Sequence, residues 1–260
     1  MLTHKIVVLT DLHMLSPGKT ILDMDPAERL SAAIKHINKT VPDAAHVIVT
    51  GDLTHWGNVS AYLRLRDTLS ELKAPLTLTL GNHDRRAVFL EIFPDAARDE
   101  SGFIQRGLNI GGYRLIVLDS LDDSGAANPP VHSGLLCEQR LGFLDRELNA
   151  AKDKPVVIFM HHPPHKLGFV GMDRIRLRNG DAFYRLIEKH GNVKQLICGH
   201  VHRSISGAHR GVPFAVFKST VDQQPFDFEI TDTKLSVKEP GEFGVLLLGE
   251  HGVTVVGEDF

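Results

Sequence analysis

Five short motifs in this 260-residue chain carry side chains that can hold cations. They read "DLH" at 11–13, "GD" at 51–52, "GNHD" at 81–84, "HHPP" at 161–164 and "GHVH" at 199–202. Between them they offer seven candidate ligands: Asp11, His13, Asp52, Asn82, His161, His200 and His202. No set of thiolates accompanies them, so they do not read as a structural zinc knot. Carboxylate, imidazole and amide oxygen together suit Mn, Fe, Co, Ni or Zn. Seven donors are too many for one tetrahedral ion and suit two ions that share a bridging carboxylate.

Taken singly, each motif has a plain structural reading. An Asp after a strand is usually a turn former or a helix cap. "GNHD" reads equally well as a turn, since Gly and Asn tolerate positive φ. "HVH" reads as two surface histidines. Position separates the set from its parts. Each motif directly follows an apolar run: "KIVVLT" (5–10), "HVIVT" (46–50), "PLTLTL" (75–80), "PVVIFM" (155–160) and "VKQLIC" (193–198). Five accidents at five separate strand ends are improbable. Ligands in open α/β sheets bind beyond the carboxyl ends of the strands, so loops far apart in the chain can converge on one site.

The elements that must position these loops alternate. The runs are continuous rather than strictly alternating, which predicts strands buried on both faces, and "YRLIVLD" (113–119) and "VPFAVF" (212–217) add two more. Helical spacing predicts helices over 25–40, 58–73, 137–152 and 181–191. Strand and helix in alternation imply an α/β sheet flanked by helices. Beyond 212 the pattern becomes helix-free. "FDFEITDTKLSVK" (226–238) reads as strand, and "LLLGEHGVTVV" as a closing hairpin. Neither a repeat nor an interdomain linker is visible, so residues 1–260 read as one domain. The loop-like stretches 121–136 and 164–180 could serve as a lid or rim.

Bulk properties narrow the function. The net charge of -3 gives no sign of a nucleic-acid-coating protein. The opening "MLTHKIVVLTDLH" holds no apolar stretch of signal-peptide or membrane length, which predicts a cytoplasmic protein with no membrane partner. Cys137 and Cys198 lie far apart and read as two free thiols in a reducing compartment. Self-association is left open.

In this order, D-x-H, G-D, G-N-H-[DE], a histidine after a strand and G-H-x-H, the chain resembles the calcineurin-like metallophosphoesterases over about residues 5–220. "FMHHPP" and "CGHVH" look most like the bacterial class III cyclic nucleotide phosphodiesterases and the glycerophosphodiesterases. The resemblance implies a four-layer α-β-β-α sandwich and a centre of two metal ions (Mn, Fe, Zn or Co). It implies that Asp11, His13 and His202 hold one ion, that Asn82, His161 and His200 hold the other, and that Asp52 bridges them. The implied reaction is hydrolysis of a small phosphodiester by metal-activated water. His83 is then the candidate general acid, with Asp84 beside it as the group that fixes its tautomer.

Other residues near these motifs have weaker claims. His162 reads as support for His161. His55, His165, Arg85 and Arg86 could touch substrate. "DRIRLR" (173–178) would place Arg174, Arg176 and Arg178 on one side of an extended segment, more simply a solvated face than a phosphate rim. The competing functions are a phosphomonoesterase or protein phosphatase, a nuclease, and a dead scaffold of the same fold. The complete ligand set argues against the last, and the lack of a basic surplus against the nuclease.

Overall fold

The computed structural model describes residues 3–124 and 132–260. Its strands are β1 (His4–Leu9), β2 (Ala44–Val49), β3 (Leu76–Leu78), β4 (Arg106–Ile110), β5 (Tyr113–Val117), β6 (Val156–Phe159), β7 (Val193–Cys198), β8 (Ile205–His209), β9 (Val212–Val216), β10 (Glu242–Gly249) and β11 (Gly252–Asp259). Its helices are α1 (Pro26–Thr40), α2 (Val59–Leu69), α3 (Arg86–Ile92), α4 (Glu138–Ala151), α5 (Val170–Arg174) and α6 (Gly180–His190). One sheet runs β11-β10-β1-β2-β3 and the other β4-β5-β6-β7-β9-β8. Among the strands that precede the five motifs, β1, β2 and β3 pair in parallel in the first sheet, and β6 and β7 pair in parallel in the second.

Alternate residues along each strand face opposite layers. Ile6 and Val8 of β1 pack between the sheets with Ile48, Val157, Phe159 and Ile197. Val7 and Leu9 point the other way, onto Leu30, Ile34 and Ile37 of α1 and Tyr62 and Leu65 of α2. In the second sheet, Ile116, Ile158 and Leu196 pack on Leu144 and Leu148 of α4 and Phe183 and Ile187 of α6. The layers therefore run helix, sheet, sheet, helix. This is why the apolar runs are continuous: neither face of these strands meets water.

Local signals set the boundaries. Asp25 caps α1 by accepting from Ala27 N at 3.0 Å, with Pro26 in the first turn. Gly191 ends α6 with φ at 71°. Among the described residues no helix is long and apolar enough to cross a membrane.

Two expectations change. "FDFEITDTKLSVK" forms no named strand and contributes only an isolated bridge, Gln223 to Val237. Its Asp227 and Asp232 side chains accept from Glu229 N and Lys234 N at 2.9 and 3.0 Å, closing local turns that outcompete a ladder. "DRIRLR" is not extended: α5 ends at Arg174 and bends follow, so its arginines do not share a face. Arg178 pairs with Asp122, and Arg176 Nη1 donates to the Asp173 carbonyl at 2.5 Å. The stretch 164–180 carries α5, whose Val170 N and Gly171 N donate to the carbonyls of Phe228 and Ile230 at 2.9 and 3.0 Å. Part of the expected rim at 121–136 lies outside the described residues.

Candidate metal centre

The loops after β1, β2, β3, β6 and β7 meet where the two sheets end. Backbone hydrogen bonds join them. Asp11 N donates to Gly51 O at 3.1 Å, His13 N to Asp52 O at 2.9 Å and Gly199 N to His161 O at 3.0 Å. The space is tight: a Cβ on Gly51 would meet Gly81 N at 2.7 Å and His161 Nδ1 at 2.9 Å. A Cβ on Gly199 would overlap Thr10 Oγ1. Asp11, His13, Asp52, His200 and His202 all have positive φ, at 51°, 43°, 48°, 75° and 51°. Such backbone costs on the order of 1–3 kcal/mol per residue and persists where the surroundings over-determine it, typically at functional sites.

All seven candidate ligands gather here. Asp11, His13 and His202 each offer an atom within 4.8 Å of the others, as do Asp11, Asp52 and His161. His13 Nε2 lies 3.0 Å from His202 Nε2. His161 Nε2 lies 3.3 Å from Asp52 Oδ2, 3.1 Å from Asn82 Oδ1 and 3.2 Å from His200 Nδ1. His202 Nε2 lies 3.4 Å from Asp11 Oδ1.

The protons face the other way. His161 Nδ1 donates to the Thr50 carbonyl at 3.0 Å, and His202 Nδ1 to the Asp222 carbonyl at 2.7 Å. In the neutral rings each Nε2 therefore presents a lone pair to carboxylate and amide oxygens that can only accept. Acceptors that converge without a donor between them fit cations, and a carbonyl partner on the far ring nitrogen is the usual support of a metal-ligating histidine.

The electrostatics agree. Burial works against charge on Asp11, yet His202 and His161 beside it hold its carboxyl below the usual range. Asp52 is likewise held well below that range, its burial outweighed by His161 and His83. Burial alone would lower His161 and His202, but Asp52 and Asp11 push His161 up to about 9, and Asp11 pushes His202 up to about 10. Burial and neighbouring imidazoles keep His13 and His200 low, His200 at about 3. The pocket thus draws positive charge toward its two buried carboxylates.

His83 sits against His13, with ring centroids 4.8 Å apart. The group that fixes its tautomer is the His55 carbonyl, to which His83 Nδ1 donates at 2.8 Å. Asp84 does not do so. Its carboxylate turns away and accepts from Leu53 N, Thr54 N, Gly81 N and the Tyr62 hydroxyl. His162 has its ring held by Ser120 Oγ at 2.8 Å and the His132 carbonyl at 3.2 Å. His55 Nδ1 lies 3.2 Å from His13 Nδ1. Two residues expected near substrate are engaged by other partners. Arg86 pairs with Asp119 at 3.0 Å and with Asp123, and His165 hydrogen-bonds Tyr184 at 2.8 Å and stacks on His209.

One site residue carries no motif. His132 Nδ1 lies 3.1 Å from Asn82 Nδ2, and its ring stacks on His83 at 5.5 Å. It follows neither a strand nor a recognisable spacing. A histidine count is the only sequence signal it leaves.

A family model described as calcineurin-like phosphoesterase matches residues 4–204. A probable cyclic nucleotide phosphodiesterase of Rhodopseudomonas palustris is 46% identical over 224 residues, which cover 86% of this chain and 80% of the relative. A glycerophosphodiester phosphodiesterase, GpdQ, of Enterobacter lignolyticus is 32% identical over 217 residues, 82% of this chain and 75% of the relative. Among solved structures, a dimetal phosphatase from Danio rerio shares the fold with a TM-score of 0.74 at 18% identity, over 99% of this chain and 98% of that one.

Proposed function

The chain belongs to the calcineurin-like phosphoesterase family, and from that premise we propose that it hydrolyses small phosphodiesters at a two-cation centre. The substrates are cyclic nucleotides or glycerophosphodiesters, the classes named for the bacterial relatives. The observation that carries the reading is the convergence of the His161 and His202 Nε2 atoms on the Asp52 and Asp11 carboxylates.

In this reading Asp11, His13 and His202 hold one cation, Asn82, His161 and His200 hold the other, and Asp52 serves both. Mn, Fe, Zn or Co suits the donors. When bound, the pair offsets phosphoryl charge and lets a water lose its proton near neutral pH. The chain supplies the rest. Thr50 and Asp222 keep two ligand rings aimed inward through their carbonyls. His83 keeps Nδ1–H on the His55 carbonyl, so its Nε2–H, when the ring is protonated, is the donor for the departing alkoxide. The reading places the chain in the cytoplasm, where its two free thiols, Cys137 and Cys198, suit a reducing compartment.

A rate panel tests it. Cyclic nucleotides, a bis-nitrophenyl phosphate, glycerophosphodiesters and phosphomonoesters are each supplied with added Mn. Turnover of one of the diester classes should exceed that of any monoester, and the reverse order would favour a phosphatase. Elemental analysis after saturation with Mn should find two equivalents per chain. One tight equivalent alone would remove the shared-Asp52 arrangement.

A further inference from the structure

Asn82 is the odd member of the ligand set, a neutral amide among carboxylates and imidazoles. Its two ends have nearly the same shape and opposite hydrogen-bonding character. Oδ1 lies 3.1 Å from His161 Nε2, and Nδ2 lies 3.1 Å from His132 Nδ1. As a cation ligand His161 is neutral, and with its Nδ1 proton committed to Thr50 its Nε2 then presents a lone pair. That lone pair attracts an N–H and repels a carbonyl oxygen. In that neutral state, with nothing on its other side, the amide is free to turn over, donate Nδ2–H to His161, and place a donor where a cation needs an oxygen.

We infer that His132 is a positioning residue for the second cation: its Nδ1 accepts from Asn82 Nδ2 and holds the amide with Oδ1 facing the cluster. The inference rests on the proposed ligand role of Asn82. Nδ2 can only donate, so His132 must carry its ring proton on Nε2. The ring is itself held in place. It stacks on His83 with an interplanar angle of 25°, and the His132 carbonyl accepts from His162 Nε2 at 3.2 Å. With that proton committed, His162 Nδ1 accepts from the Ser120 hydroxyl at 2.8 Å. A relay of fixed donors and acceptors thus runs from Ser120 through His162 and His132 to the Asn82 amide, and every member has one consistent proton assignment.

Partners of this kind typically change metal affinity by about 10–100-fold when removed. The test is a calorimetric Mn titration of the intact chain that resolves two binding steps. The variants are Asn82→Ala, His132→Ala, His132→Asn, Asn82→Asp, and Asn82→Asp combined with His132→Ala. Thermal melts in chelator accompany each, and His132 is exposed, so its substitutions should leave the melts unchanged. His132→Ala should weaken one step by about tenfold or more and spare the other. His132→Asn, whose amide oxygen can take the place of Nδ1, should recover most of the loss. In the Asn82→Asp background the side chain offers an oxygen at either end, so His132→Ala should then have no effect. If Asn82→Ala weakens a step that His132→Ala leaves untouched, the positioning role is wrong and the ligand assignment stands. If Asn82→Ala changes neither step, the ligand assignment fails first. Equal weakening by His132→Ala in the native chain and in the Asn82→Asp variant would also overturn the proposal.

Discussion

Asp52 meets His161 at 3.3 Å, carboxylate Oδ2 to imidazole Nε2, and the same oxygen lies 3.7 Å from His13 Nε2. One carboxylate oxygen thus faces histidines delivered by both sheets. Its companion Oδ1 accepts from His83 N at 2.8 Å, which ties it to the third loop. Asp52→Asn keeps the shape, tolerates the positive φ and removes the charge. It should abolish diester hydrolysis and most Mn binding while the circular dichroism spectrum stays native. A rate near that of the native chain would remove Asp52 from the centre.

His83→Ala should leave metal content nearly intact and slow turnover. General acid catalysis contributes about 10²–10⁴-fold, so the loss on an alkyl or ribosyl diester should fall in that range. Nitrophenolate leaves with little protonation, and its diester should lose far less. Measuring kcat for both substrates decides the matter: an equal loss on both would assign His83 to phosphate positioning instead.

Asp84 gives the opposite signature. Its carboxylate accepts from Leu53 N and Gly81 N at 3.0 Å and from Thr54 N at 3.1 Å. Asp84→Ala strands these buried donors, at a cost of about 1–3 kcal/mol each. The variant should melt several degrees earlier. Whatever rate it loses should be the same for good and poor leaving groups, because the third loop shifts as a unit. A leaving-group-dependent loss would restore Asp84 to the proton-transfer step.

His165 predicts a dependence on pH. Burial, then His209 and Arg176, push it down to about 4, and its Nε2 is buried without a hydrogen-bond partner among the described residues. The folded chain therefore keeps the ring neutral, while the unfolded chain takes up a proton near pH 6.5. The stabilisation is complete above about 6.5 and declines as pH falls from there toward 4. Urea midpoints at pH 7 and pH 5 should differ for the native chain and differ less for His165→Asn. Identical pH slopes would show that the ring titrates as freely folded as unfolded.

Much of the centre was legible because its chemistry repeats in register with the fold: a polar motif after each buried run. The continuous runs gave away double-sided burial, and Ile6 against Val7 shows the two faces in adjacent residues. What stayed hidden has a common physical cause. The acceptors that aim the rings, at Thr50, His55 and Asp222, are backbone carbonyls, which every residue owns and no motif marks. His132 reaches Asn82 across 50 positions from a loop with no periodicity. Arg86 misleads in the other direction: two positions after "GNHD" in sequence, it is drawn away by the buried Asp119. The apolar residues of "FDFEITDTKLSVK" suggest a strand, but Phe226, Phe228 and Leu235 stay exposed because local turns take the backbone.

β1, which carries Asp11 and His13 just beyond its end, is flanked on one side by β2 and on the other by β10, register His4 to Leu248. During synthesis at about 5–20 residues per second, the first strand therefore waits for β10, more than 230 residues later, before its second edge is covered. His200 and His202 also emerge late. The nascent chain holds its earliest two donors, Asp11 and His13, beside Gly51 and Asp52 but without His202 until that residue emerges. Capture of both cations then follows the emergence of His200 and His202, and removing only β10 and β11 should lower the Mn content found by elemental analysis, although every proposed donor atom is present.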